Sequence, residues 1–172
     1  SYNLLAPIYV RPIDSRTGKI QEFAAFAWAE PANEVLDWEV RFPKLLNELK
    51  NSQADVICLQ EIQFEKRNDL SNADGDGCFF DIPKQLRDGL DGYEYRIGAQ
   101  SSLKEIADRN KRVLNLEAPV GNAILWKSDR LDAMIELCDS NGIKDANTRV
   151  AICFRGRIGS ELEHLDKTTV VS

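Results

Sequence analysis

The feature that most narrows the fold of this chain is the run Ala54-Asp55-Val56-Ile57-Cys58-Leu59-Gln60-Glu61, together with the segment that feeds it. Val56 to Leu59 is apolar without alternation and has the length of a strand, a pattern that predicts burial on both faces by helices. Just before it, Val35, Trp38, Phe42, Leu45, Leu46 and Leu49 recur at spacings of three and four. That periodicity predicts an amphipathic helix from residue 33 or 37 to about residue 50, with Pro43 as a kink point. A helix whose stripe covers a buried strand is the repeating unit of a layered sheet, so the chain is expected to be α/β. Gln60-Glu61 is expected at the carboxyl end of the strand.

The remaining segments extend this reading. Residues 1–5 predict a short strand ended by Ala6-Pro7, because proline cannot donate to a ladder, and residues 11–32 predict a loop. Residues 65–78 are polar and glycine-rich. Residues 79–90 carry Phe79, Ile82, Pro83, Leu86 and Leu90 at helical spacing, with Gly89 and Gly92 at the exit, and predict a second crossover helix. Residues 93–97, 122–126, 131–137, 150–155 and 168–171 predict further strands. Residues 103–116 are rich in charge and predict a solvated segment. At 172 residues the chain is one domain or a large piece of one. It opens without Met and ends in a β-branched run, so both ends are expected to be cuts in a longer protein.

Composition removes several function classes. There are 22 Lys and Arg against 28 Asp and Glu, a net charge of −6, which disfavours a module that grips phosphate backbones non-specifically. A metal-dependent phosphate enzyme survives that test, since a bound divalent cation supplies the missing positive charge. No stretch approaches the ~18 consecutive apolar residues of a membrane helix. Cys58, Cys78, Cys138 and Cys153 lack Cys-x-x-Cys spacing, and His164 is the one histidine, so zinc-ligand patterns are absent. Reduced thiols in an intracellular, cytoplasmic protein are the expectation.

Glu61 is the most informative chemical position, because open α/β sheets bind ligands beyond the carboxyl ends of their strands. By itself it has two readings, a capping or surface carboxylate and a catalytic or metal-binding one. Asn3, near the end of the first strand, is equally open between a turn cap and a phosphate or metal contact. Together they suffice for part of a Mg²⁺ site, since that ion needs only one or two protein carboxylates, with water and substrate phosphate completing its shell. Asn72-x-Asp74-x-Asp76-Gly77 starts like a calcium loop, yet Pro83 stands where the bidentate Glu is required, so it reads as an acidic turn. Lys104, Arg109, Lys111 and Arg112 interleave with Glu105, Asp108 and Glu117 and read as a solvated face. Trp28, Trp38 and Trp126 read as core rather than as base-stacking platforms.

Four blocks carry a resemblance. Ser1-Tyr2-Asn3-Leu4-Leu5-Ala6, Trp38-Glu39-Val40-Arg41, the run 54–61, and Gly121-Asn122-Ala123-Ile124-Leu125-Trp126 with Asp129-Arg130-Leu131 and Asn147-Thr148-Arg149-Val150-Ala151 resemble the first half of the endonuclease/exonuclease/phosphatase fold. Within it they are most similar to the carbon catabolite repressor type deadenylases, nocturnin and Angel. The resemblance implies that residues 1–172 are the amino-terminal portion of one such domain, part of a four-layer, deoxyribonuclease I-like α/β sandwich of mixed sheets flanked by helices. It implies that Glu61 ligates a catalytic Mg²⁺, or Mn²⁺ in its place, and that Asn3 orients the scissile phosphate or the metal. The implied activity is a phosphodiesterase, foremost a deadenylase-like 3′-5′ exoribonuclease acting on RNA 3′ ends within an mRNA-decay assembly. Two alternatives stand beside it: a phosphatase on a small nucleotide or an RNA terminal phosphate, and an inactive interaction domain. The family's later Gly-Asp-x-Asn and Ser-Asp-His strings do not occur, and His164 reads as a surface residue. The general base is therefore not assigned within these residues, and the chain alone is expected to be inactive.

Overall fold

The computed structural model describes residues 1–12, 14, 16–21, 26, 28–29, 31–67, 79–136 and 151–156. The chain opens with β1 (Tyr2–Asn3) and then α1 (Pro7–Val10), a short helix between the predicted strand and the loop expected from residue 11. Pro7 occupies its first turn, a position where the missing N–H has no helical partner to lose. Ile8 and Val10 turn inward and are buried.

The single helix predicted from residue 33 or 37 is two helices, α2 (Ala32–Val35) and α3 (Trp38–Asn51). The break is made by Asp37, whose carboxylate accepts from the Glu39 N–H at 3.0 Å and caps α3. Helix α3 runs on through Pro43, burying Phe42 and Leu49. Next comes β2 (Val56–Gln63), followed by β3 (Glu65–Arg67) and β4 (Phe79–Asp81), which pair antiparallel. The predicted helix over 79–90 is thus corrected to a strand and then α4 (Lys84–Gly89). Pro83 explains the split, since the residue before a proline is disfavoured in helical geometry.

The last described elements are β5 (Tyr93–Ile97), α5 (Gln100–Leu114), β6 (Val120–Lys127), β7 (Leu131–Glu136) and β8 (Ala151–Gly156). Helix α5 corrects the expectation of a solvated segment at 103–116. Its inner stripe is Leu103, Ala107 and Asn110, and the third of these is polar. Asn110 is buried because its amide donates to the Ala118 carbonyl at 2.7 Å. The strand predicted at 168–171, the acidic turn around Asp74 and His164 lie outside the described residues.

The main sheet has the order β1-β2-β6-β5. β1 runs parallel to β2, while β2 with β6 and β6 with β5 are antiparallel, so the sheet is mixed. Ile57, Leu59, Ala123 and Leu125 line one face and pack with Phe42 and Leu49 of α3, Leu86 of α4, and Leu103 and Ala107 of α5. The opposite face of β2 carries Val56 and Cys58, which are only half-buried. The strand expected to be buried on both faces is therefore fully covered on one. The fold class is α/β, a mixed sheet flanked by helices. β7 and β8 form a separate two-stranded sheet.

Candidate functional site

Asn3 and Glu61 are 58 residues apart in sequence and in direct contact in the fold: the Asn3 Nδ2 amide donates to Glu61 Oε1 at 2.8 Å. The parallel pairing of β1 with β2 produces this, since its register sets Asn3 beside Gln60. The orientation of the amide is fixed independently, because Asn3 Oδ1 accepts from the Leu5 N–H at 2.7 Å. Just beyond, Arg41 of α3 donates to the Leu4 and Leu5 carbonyls, each at 2.8 Å, and to the Leu36 carbonyl at 3.1 Å. Burial is the first cause that lowers the Arg41 pKa, with Asp37 opposing it. Sequence reasoning noted Arg41 only as part of a block and missed this clamp. The available signal was an arginine on the same helix face as Trp38, over whose ring its guanidinium sits at 5.3 Å.

Glu61 was expected past the end of its strand, and the structure places it inside β2 instead. Leu59 pairs with Ala123 and Ile62 with Gly121, so Gln60 and Glu61 together face the single residue Asn122 across a β-bulge. Glu61 takes up the extra length with φ +54°, a left-handed conformation that glycine usually supplies. A bulge of this kind re-aims one side chain out of the strand's alternation, which is how it turns the carboxylate toward Asn3. Gly121 closes the bulge from the other strand: a Cβ there would stand 3.0 Å from the Phe64 ring. Beyond the bulge, Gln63 Oε1 accepts from the Ile8 N–H at 2.8 Å and ties α1 to β2.

Tyr9 of helix α1 is 42% exposed. Burial raises the Tyr9 pKa, the charge of Glu61 raises it further, and Arg109 of α5 opposes both. The phenol is thus an O–H donor near Glu61 across the neutral range. Among the described residues no three His, Cys, Asp or Glu side chains converge. The site therefore offers one oriented carboxylate, with Oε1 held by Asn3, and amide groups around it. Such oxygen donors fit one corner of a hard cation's shell. Lys104 pairs with Asp108 at 3.2 Å and Lys111 with Glu117 at 2.9 Å, as a solvated face requires. Trp126 is buried and Trp38 half-buried, whereas Trp28, expected in the core, is 77% exposed.

No family model matches the chain. Over 29 residues, 17% of its length, it is 59% identical to Protein angel homolog 2 of Homo sapiens and 55% identical to that of Danio rerio. The chain is Angel-like over this segment. Angel is one of the groups that the four sequence blocks resemble. The segment amounts to 5% of those relatives' length. Among solved structures, the chain is similar to ANGEL2, a 2′,3′-cyclic phosphatase, with 20% identity and a TM-score of 0.41 over 90% of this chain. It is also similar to ANGEL2 in complex with adenosine-2′,3′-vanadate, with 20% identity and a TM-score of 0.43 over 91%. This chain spans about a third of the ANGEL2 chains, 35% and 36% of their lengths. No helix among the described residues is long and apolar enough to cross a membrane.

Proposed function

We propose that the protein carrying this chain is a Mg²⁺-dependent phosphoester hydrolase acting at RNA 3′ ends. The observation that carries the reading is the Asn3 to Glu61 hydrogen bond, made by a carboxylate held in a strained bulge at φ +54°. Backbone strain of this kind, of order 1–3 kcal/mol, persists where surrounding structure enforces it and concentrates at functional positions. Glu61 would hold the ion through Oε2, because Oε1 already accepts from Asn3. Mg²⁺ when bound supplies charge neutralisation on the phosphoryl oxygens; Mn²⁺ offers the same chemistry. Asn3 fixes the carboxylate's direction and, through Arg41, is anchored to α3.

Two cleavages at an RNA 3′ end suit this arrangement: exonucleolytic trimming of oligoadenylate and opening of a terminal cyclic phosphate. The Angel-like segment favours the second, because the protein named ANGEL2 is a 2′,3′-cyclic phosphatase. The test uses full-length protein on oligoadenylate and on an oligoribonucleotide ending in a 2′,3′-cyclic phosphate, with Mg²⁺ and with chelator. Turnover should require Mg²⁺ and fall at least a hundredfold in Glu61→Gln, because a neutral amide is a poor ligand for a hard cation. Turnover that survives both chelation and Glu61→Gln refutes the proposal.

A further inference from the structure

The geometry points to Asn122 as a substrate-contacting residue that receives the phosphoryl group beside Glu61. This inference rests on the hydrolase reading above and extends it to a residue on another strand. Asn122 is the β6 residue that faces the bulge, so it stands opposite Gln60 and Glu61. Its neighbour Ala123 lies in the core with Leu125. Strand alternation therefore turns Asn122 to the opposite face. Asn3 faces the same way, since the adjacent Leu4 is in the core, and Glu61 is bonded to Asn3. Asn3, Gln60 and Asn122 thus form a row of amides across three strands, with the Glu61 carboxylate between the outer two.

Chemistry separates Asn122 from Asn3. Asn3 has its oxygen engaged by the Leu5 N–H and its nitrogen by Glu61. Asn122 is exposed, and among the described residues its amide has no hydrogen-bond partner. Space is available too: Gly98, which follows Ile97 of β5, has nothing within 4 Å of where a Cβ would stand. Ile97 pairs with Ala123, so this open position is next to Asn122. A phosphoryl group brought up to a cation on Glu61 has further non-bridging oxygens that need donors. A neutral amide donates to them without competing for the cation.

The experiment compares full-length wild type with Asn122→Ala and Asn122→Asp, using inorganic phosphate as a competitive probe at fixed Mg²⁺, and reads KM, kcat and half-saturating Mg²⁺. Asn122→Ala should weaken phosphate inhibition about tenfold and raise KM, with half-saturating Mg²⁺ unchanged, the loss of one hydrogen bond to a charged group. Asn122→Asp should weaken phosphate further while lowering half-saturating Mg²⁺, because the new carboxylate repels the anion and attracts the cation. A residue that only supports the strand does not move the two ions in opposite directions. An active wild type whose two variants bind phosphate and substrate unchanged overturns this inference alone. A wild type without Mg²⁺-dependent turnover, or one indifferent to Glu61→Gln, overturns the parent reading and this inference with it.

Discussion

The left-handed backbone at Glu61 sets function against stability, and the two can be separated by comparing Glu61→Gly with Glu61→Ala. At φ +54° a side-chain-bearing residue carries roughly 1–2 kcal/mol of steric cost that glycine escapes. Glycine also has the more disordered unfolded chain, which takes back about 0.4–1 kcal/mol relative to alanine. Both variants lose the exposed hydrogen bond from Asn3, so that loss cancels in the comparison. What remains is a net preference of about 0.5–1 kcal/mol for glycine. In an ordinary strand position the sign is reversed, with glycine the weaker residue by roughly 0.5–1 kcal/mol.

The assay is urea unfolding of the full-length protein in chelator, so that no cation contributes, read as the midpoint at constant slope. Glu61→Gly should unfold at higher urea than Glu61→Ala, and both should lack Mg²⁺-dependent turnover. A Glu61→Gly protein less stable than Glu61→Ala would show that the position is not strained. The argument that the fold holds this carboxylate at a cost would then fall.

Two further outcomes follow from the buried Asp81, whose carboxylate accepts from the Ile82 N–H and the Tyr95 hydroxyl, each at 2.8 Å, and pairs with Arg67 at 3.0 Å and Arg87 at 2.5 Å. Asp81→Ala should cost about 3 kcal/mol in urea unfolding, the low end for breaking a buried pair because both arginines are about a quarter exposed; a cost under about 1 kcal/mol would contradict the assignment. Burial raises the Tyr95 pKa first, and the bond to Asp81 and its charge raise it further, while Arg87 opposes them. Its folded value lies above the ordinary value near 10, so its contribution to stability is complete below pH 10 and is lost as pH climbs through the folded value. Unfolding midpoints measured from pH 9 upward should fall over that window, and Tyr95→Phe should flatten the fall.

Much of the frame was legible because it rests on periodicity. Phe42 and Leu49 lie on the stripe of α3 that their spacing predicts, whereas the unbroken run Val56 to Leu59 announced a strand without showing that Ile57 and Leu59 alone form its inner face. The strand over 93–97 was read with its observed bounds. The misses have local causes. Helix α5 was read as solvated because of its charges, Lys104, Glu105, Asp108, Arg109, Lys111 and Arg112, which hid the inner stripe of Leu103, Ala107 and Asn110; only the distant Ala118 carbonyl makes that asparagine a core residue. Residues 79–90 gave helical spacing to two elements because Phe80, Ile82, Leu86 and Leu90 share one core regardless of backbone. The bulge was not legible at all, since nothing in Leu59-Gln60-Glu61-Ile62 favours φ > 0. The contact of Asn3 with Glu61 depends on a parallel pairing across 58 residues, which no local spacing encodes; only the place of each residue near a strand end was legible.

The strain at Glu61 persists because the backbone on either side is tied down by bonds the strain cannot break one at a time. Before the bulge, the Leu4 N–H donates to the Gln60 carbonyl at 2.9 Å, and Leu59 pairs with Ala123. After it, Ile62 pairs with Gly121, the Phe64 N–H donates to the Pro119 carbonyl at 2.9 Å, and Gln63 accepts from Ile8. Each such bond is worth about 1 kcal/mol net, so together they exceed the cost of one left-handed residue. A flat strand would lose the strain, but it would also shift the register after Leu59 by one residue and break those later bonds, returning residue 61 to the alternation of β2 and swinging the carboxylate away from Asn3. Arg41 guards the other partner by holding the Leu4 and Leu5 carbonyls. The carboxylate is thus fixed from β1, β2 and α3 at once, and a fixed carboxylate is what an ion-dependent phosphoryl site requires before substrate arrives.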